Sequence, residues 1–198
     1  MDWKKYFDNE NEKPLDNLIS DGGFTGIFRT MAFVGDSLSS GEFESMDKEG
    51  NKGYHDMFEY SWGQYIARAA GLKAYNFSRG GMTAKEYCES FAATQMFWNN
   101  DKLSQAYVIA LGVNDISQDK KDLGDISDID LKDWRNNKKT FIGYYAQIIQ
   151  RYMEMQPRAR FFLMTIPRDM SKDKERIEAE NIHAELMYKL AELFPKTY

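Results

Sequence analysis

The chain reads as an α/β domain with a mostly parallel sheet and right-handed crossovers. Three observations predict this class. Short apolar runs alternate along the chain with segments whose apolar residues recur every three to four positions, which is the order of strand, helix, strand. Residues 106–111, Ala-Tyr-Val-Ile-Ala-Leu, are apolar without interruption, as in a strand covered on both faces. Glycines stand just past the first three strand-like runs, at Gly35, Gly80-Gly81 and Gly112. In open α/β sheets the carboxyl ends of the strands form the ligand crevice, and consecutive parallel strands cross over right-handedly.

The elements follow in order. Residues 1–28 read as an N-terminal arm and 29–198 as the domain. The first twenty residues are polar, rich in Asp, Asn, Glu and Lys and broken by Pro14, and Asp21-Gly22-Gly23 is a turn. Ile27-Phe28 and residues 31–34 form the first strand, ended by Gly35. Residues 39–57 are charged, glycine-containing and aperiodic, and read as a long loop after the strand. Trp62, Tyr65, Ile66 and Ala69 give residues 60–70 a helical period that stops at Gly71.

Residues 72–77 are a second strand. Residues 83–98 are a helix capped by Thr83, with Glu86 three positions on. The strand at 106–111 is followed by a long polar loop, 116–137, that holds Trp134. Residues 138–155 are helical until Pro157, and 160–166 form a fourth strand stopped by Pro167. A last helix spans 171–193, with Ile182, Leu186, Leu190 and Leu193 on one stripe. Residues 191–198 then lead toward a fifth strand that the chain does not supply.

With 198 residues, 42% of them hydrophobic and 15% aromatic, the chain can bury one core. A net charge of −5 leaves no basic footprint for nucleic acid or anionic lipid. No segment has the length and apolarity of a signal peptide or a membrane span, so the expected location is cytoplasmic. Cys88, the single cysteine, has no partner for an intramolecular disulfide and reads as a buried, inert thiol.

Chemistry concentrates at the strand ends. Ser37 alone would be a helix cap, Gly80-Gly81 alone a turn, and Asn114 alone an Asx-turn. Their joint placement, each just past an apolar strand, points to acyl transfer, which needs a nucleophile and donors aimed at a developing oxyanion. The backbone N–H groups of Ser37 and Gly81 and the side-chain amide of Asn114 would be three such donors. Glycine permits close approach of its amide, and the asparagine NH₂ donates at any pH. Asp36 and Asp115 read as residues that order their loops.

These blocks resemble those of the GDSL or SGNH hydrolases, a large group of esterases and lipases. Gly35-Asp36-Ser37-Leu38 is similar to the nucleophile block, Asn76 through Thr83 to the glycine block, and Gly112-Val113-Asn114-Asp115 to the asparagine block. The resemblance covers about residues 30–198. It implies a flavodoxin-like three-layer α/β/α sandwich that hydrolyses esters without metal or cofactor. Ser37 would be the nucleophile, Gly81 the oxyanion glycine with Gly80 as fallback, and Asn114 the third donor.

One block departs from the pattern: no Asp-x-x-His occurs. The histidines present are His55, in the loop after Ser37, and His183, where Glu180-Asn181-Ile182-His183 imitates acid-x-x-His inside the last helix. His55 reads as a solvated loop residue and His183 as a packed helical one. The base is therefore unassigned, and the chain is expected to be inactive or weakly active. Without a fifth strand, residues 160–166 are expected to form a bare sheet edge open to a homodimer. The reading is a serine ester hydrolase for a small or carbohydrate acyl ester. The alternative is a catalytically silent binding module using the same crevice. A nucleotide binder fits less well, since no phosphate-cradling glycine run stands at a strand-to-helix turn.

Overall fold

Alternating side chains build the centre of the sheet. In β1 (Thr30–Gly35), Met31 and Phe33 face one side and Ala32 and Val34 the other, all fully buried. The computed structural model describes residues 22–119, 122–167 and 174–198. Residues 1–21 of the expected arm, 120–121 of the second expected loop and 171–173 at the expected start of the last helix lie outside the described residues.

After β1 come α1 (Ser37–Ser40), the strands β2 (Glu42–Met46) and β3 (Lys52–Asp56), and α2 (Trp62–Ala70). β4 (Lys73–Ser78) leads to α3 (Ala84–Glu86), which runs through a π-helical turn, Tyr87–Phe91, into α4 (Ala92–Thr94). β5 (Ala106–Ala110), α5 (Val113–Asp119), α6 (Phe141–Met155), β6 (Arg160–Leu163) and α7 (Lys174–Leu193) complete the described elements.

The main sheet is parallel throughout, in the order β4-β1-β5-β6. The chain leaves β1 for β4 on one side and then crosses to β5 on the other, so the strand order reverses around β1. Register aligns the ends, with Gly35 opposite both Ser78 and Ala110. That alignment brings the residues after β1, β4 and β5 to one edge.

Two cores hold the layers. On one face, Ala32, Val34, Tyr107, Ile109 and Phe161 pack against α3, α4, α6 and α7. Its centre is a stack of rings, with Tyr107 4.2 Å from Tyr152 and Phe77 4.1 Å from Phe97, centroid to centroid. On the other face, Phe28, Met31, Phe33, Ala106 and Val108 pack with Trp62 of α2 and Phe58. A four-stranded parallel sheet flanked by helices is the expected fold class. Among the described residues no helix is long and apolar enough to cross a membrane.

Several local expectations need correction. Residues 39–57 are not a loop: after α1, β2 and β3 pair antiparallel as a hairpin, with Phe43 opposite His55 and Glu42 opposite Asp56. Its charged residues hid the strands, because both strands are largely exposed and only alternation across a glycine-bearing turn marks them. Ile27 closes a 3₁₀ turn, Gly23–Ile27, rather than opening a strand. The polar stretch after Gly112 begins as α5 and later holds the 3₁₀ turns Ile126–Asp128 and Trp134–Asn136. On α7 the buried stripe is His183, Leu186, Met187 and Leu190, while Ile182 is 41% exposed.

The edge of β6 is not bare. Phe161 N–H and Leu163 N–H donate to Lys196 O and Tyr198 O at 2.9 and 2.8 Å, and Tyr198 N–H donates to Phe161 O at 2.9 Å. Thr197 forms a parallel bridge with Phe161. These bonds satisfy the backbone groups that the sequence reading left open to another chain.

Candidate active site

Ser37 is placed by a turn with no slack. A side chain on Gly35 would meet Ser39 Oγ at 2.5 Å, so only glycine lets the chain double back there. Asp36, fully buried, accepts the Leu38 N–H at 3.0 Å and caps α1. Ser37 is the first residue of that helix and half-buried. The turn is also held from outside: Trp62 Nε1 donates to Leu38 O at 2.9 Å, and Ser40 Oγ donates to the Asp56 carboxylate. Among the described residues no acceptor takes the Ser37 N–H.

The two glycines after β4 separate in role. Gly80 N–H donates to Asp56 Oδ2 at 3.3 Å, and the Glu42 carboxylate occupies the space where a Gly80 side chain would stand. Gly81 is exposed, has φ +73°, and its N–H has no acceptor among the described residues. Gly81 is thus the free donor of the pair, and Gly80 is committed to the hairpin.

Asn114 lies in the first turn of α5. Its Nδ2 donates to Met82 O at 3.1 Å and stands 3.5 Å from Asp36 Oδ2, which joins the ends of all three strands. Asp115 is fully buried. Both its oxygens accept the Ala84 N–H, at 3.1 and 3.2 Å, so it links α5 to the start of α3. Gly112 adopts φ +133°, a region that L side chains rarely enter.

Burial dominates the electrostatics. It pushes the Asp36 carboxyl from 3.8 up to about 6, partly offset by backbone hydrogen bonds from Leu38 and from its own N–H, and the nearby Glu42 charge adds to the rise. Burial pushes His183 down from 6.5 to about 4. Its ring is 0% exposed, its Nε2 lies 3.0 Å from Leu111 O, and its Nδ1 has no hydrogen-bond partner among the described residues. His55 is exposed on β3, 2.8 Å from Ser45 Oγ and against the Phe43 ring. Asp56, the next residue, meets Ser40 and Gly80, so strand alternation turns His55 away from them. Neither histidine, and no carboxylate among the described residues, hydrogen-bonds the Ser37 hydroxyl.

Sequence reasoning missed Asp56, which braces the serine turn and Gly80, Glu42, whose carboxylate lies against Gly80, and the Trp62 indole, which bonds the serine turn. The first two lie in the hairpin read as a loop, and the cross-strand pairing that would reveal them is not local. It also missed an apolar pocket of about 100 Å³ beside α1, lined by Leu38, Trp62, Ala110, Leu111, Ile166 and Pro167 among others. Among the described residues no three His, Cys, Asp or Glu side chains converge as metal ligands. Cys88 is buried, donates to Tyr144 O at 3.4 Å, and has its thiol pushed well up by burial.

Comparison with known proteins bears on this geometry. A family model described as GDSL-like Lipase/Acylhydrolase matches residues 31–190. Among solved structures, a family two carbohydrate esterase from Clostridium thermocellum, in complex with cellohexaose, is similar at TM-score 0.60 and 16% identity, over 86% of this chain and 52% of that one. A carbohydrate esterase family 2 enzyme plus carbohydrate binding domain from Corynascus thermopiles (Myceliophthora fergusii) is similar at TM-score 0.53 and 16% identity, over 86% and 55%. An acetyl-xylooligosaccharide esterase from Geobacillus Stearmophilus is similar at TM-score 0.50 and 18% identity, over 83% and 72%. The chain therefore spans about half the length of the first two. No curated protein sequence matches it.

Proposed function

The chain belongs to the GDSL-like lipase/acylhydrolase family, and we propose from that premise that it carries the nucleophile and oxyanion site of a serine ester hydrolase. One observation carries the reading: two backbone N–H groups with no acceptor among the described residues, at Ser37 and Gly81, stand at neighbouring strand ends with the Asn114 amide. Ser37 Oγ attacks the ester carbonyl carbon, and the carbonyl electrons move onto oxygen, held by those three donors. For Asn114 to take part, its long contact with Asp36 yields to the oxyanion. The tetrahedral species expels the alcohol, leaving the acyl group on Ser37, and water releases the acid.

The hydroxyl proton must pass to a base, and the alcohol must be protonated as it leaves. Since no described residue bonds the Ser37 hydroxyl, slow turnover is expected. In the serine protease subtilisin, loss of the catalytic histidine alone costs on the order of a million-fold in kcat. The small pocket beside α1 supports a short acyl group over a long lipid chain. The folds of the carbohydrate esterases support a sugar as the alcohol. Residues 1–28 are proposed as an arm and 29–198 as the domain that carries this site.

The test is hydrolysis of p-nitrophenyl acetate, butyrate and decanoate by the wild-type chain and by Ser37→Ala. Turnover that vanishes in Ser37→Ala and falls with acyl length supports the reading. Equal rates in both proteins sink it. That outcome would favour the second reading, a silent module that holds a carboxylate or sugar in the same crevice. The absence of a hydrogen bond from either histidine to Ser37 is the observation behind it.

A further inference from the structure

Gly112 sits where local sequence does least to determine shape. Glycine enters φ +133° freely, but for the same reason it does not hold the chain there. The turn nonetheless decides where Asn114 points, because Ile116 N–H bonds Gly112 O at 3.0 Å and so starts α5 from this peptide. Something outside the turn must supply the stiffness. A side chain on Gly112 would come within 2.4 Å of His183 Nε2, so the imidazole from α7 fills the space that glycine leaves.

The contacts on either side of Gly112 come from one helix. His183 Nε2 lies 3.0 Å from Leu111 O. A carbonyl oxygen only accepts, so Nε2 carries the proton and donates. Two turns earlier on α7, Arg176 Nη1 reaches Val113 O at 3.5 Å and Ser117 Oγ at 2.5 Å. Its Nε is held by Glu180, itself buried, at 2.8 Å. From the opposite side, Asn114 Nδ2 meets Met82 O, and Asp115 takes the Ala84 N–H.

We propose that His183 and Arg176 are positioning residues, which clamp the carbonyls of Leu111 and Val113 and thereby aim the Asn114 amide at the oxyanion. The clamp's consequence for catalysis rests on the esterase reading above, but its effect on Asn114 does not. The arrangement also accounts for the acid-x-x-His look-alike at residues 180–183: Glu180 orients Arg176, and His183 acts through the backbone rather than on Ser37. Glu180 and Arg176 on α7, the Leu111 carbonyl from the end of β5 and the Phe141 ring of α6 surround the imidazole. With its pKa pushed down to about 4, mainly by burial, the ring stays neutral and the clamp holds through the neutral range.

The experiment compares the wild type with His183→Phe, His183→Gln, Arg176→Met and Leu190→Ala. The readouts are the Asn114 side-chain amide signals in a ¹⁵N spectrum and, where turnover is present, kcat and KM. Phenylalanine keeps the bulk and loses the donor, whereas glutamine can place an N–H near the Nε2 position. Leu190→Ala loosens the same helix away from the turn. The expected result is displaced Asn114 signals and a kcat lowered about tenfold at unchanged KM in His183→Phe. Recovery toward wild type is expected in His183→Gln, a smaller effect in Arg176→Met, and unmoved Asn114 signals in Leu190→Ala. Wild-type signals in His183→Phe, or equal displacement in Leu190→Ala, overturn the proposal. If His183→Phe does not fold, displaced Asn114 signals in Arg176→Met support the clamp and unmoved ones overturn it. If the wild type lacks Ser37-dependent turnover, the esterase reading fails while the Asn114 signals still decide the clamp.

Discussion

Replacing Asp36 by Asn should stabilise the fold at neutral pH while weakening the site beside it. Asp36 is 0% exposed, and its carboxyl is raised from 3.8 to about 6, chiefly by burial. A raised carboxyl pKa means that the native state holds a proton which the unfolded chain has already lost. The stability this proton confers is complete below about pH 4 and is lost as pH climbs through about 6. At 1.36 kcal/mol per pH unit, the ionised group costs the native state about 3 kcal/mol above that window. Asparagine keeps an oxygen for the Leu38 N–H and carries no charge to desolvate. Its NH₂ can face the Asn114 Nδ2, now 3.5 Å from the carboxylate, and one unpaired donor costs about 1 kcal/mol. The net expectation is a gain of about 2 kcal/mol near pH 7 and a loss of up to about 1 kcal/mol near pH 4, where only the unpaired donor counts. Urea unfolding of both proteins, followed by tryptophan fluorescence across that range, measures the difference directly. Other carboxylates cancel in the subtraction. A difference independent of pH, or a loss near pH 7 as large as near pH 4, would refute the burial argument.

Two further expectations follow from the glycine loop and the cysteine. Gly81→Ala meets no atom within 4 Å but forces a side chain to φ +73°, so urea melts should show a loss of about 1–2 kcal/mol. Gly80→Ala displaces only the flexible end of Glu42 and should cost less, and the reverse order would contradict the backbone assignment. Cys88, buried with its thiol pushed well up, should resist a thiol reagent such as DTNB until the protein is unfolded in urea. Labelling of the native protein at the unfolded rate would show that the thiol is not buried.

Legibility in the sequence followed locality. The strand at Ala106–Ala110 and the three glycine-bearing blocks were readable because burial on both faces and tight turns each leave a local signature. The hairpin was not, because exposed strands tolerate charge and their pairing joins residues up to fourteen apart, as Glu42 and Asp56 are. Asp115 reads in sequence as a turn residue, and its bond to the Ala84 N–H, 31 positions away, is not written in its own loop. The misplaced stripe on α7 has the same origin, since Ile182 and His183 differ by one step of helix and only the sheet determines which faces inward.

The sequence by itself determined the α/β class, the order of elements, and the arrival of Ser37, Gly81 and Asn114 at strand ends, since each rests on side-chain period or turn chemistry within a few residues. Tertiary structure alone decided which glycine keeps its N–H, because Asp56 arrives at Gly80 from the hairpin. It alone set His183 Nε2 on the Leu111 carbonyl and under Gly112, and laid Lys196–Tyr198 along β6. Those outcomes depend on hydrogen bonds between segments far apart in the chain, where the energy of a pairing is not written in either segment alone.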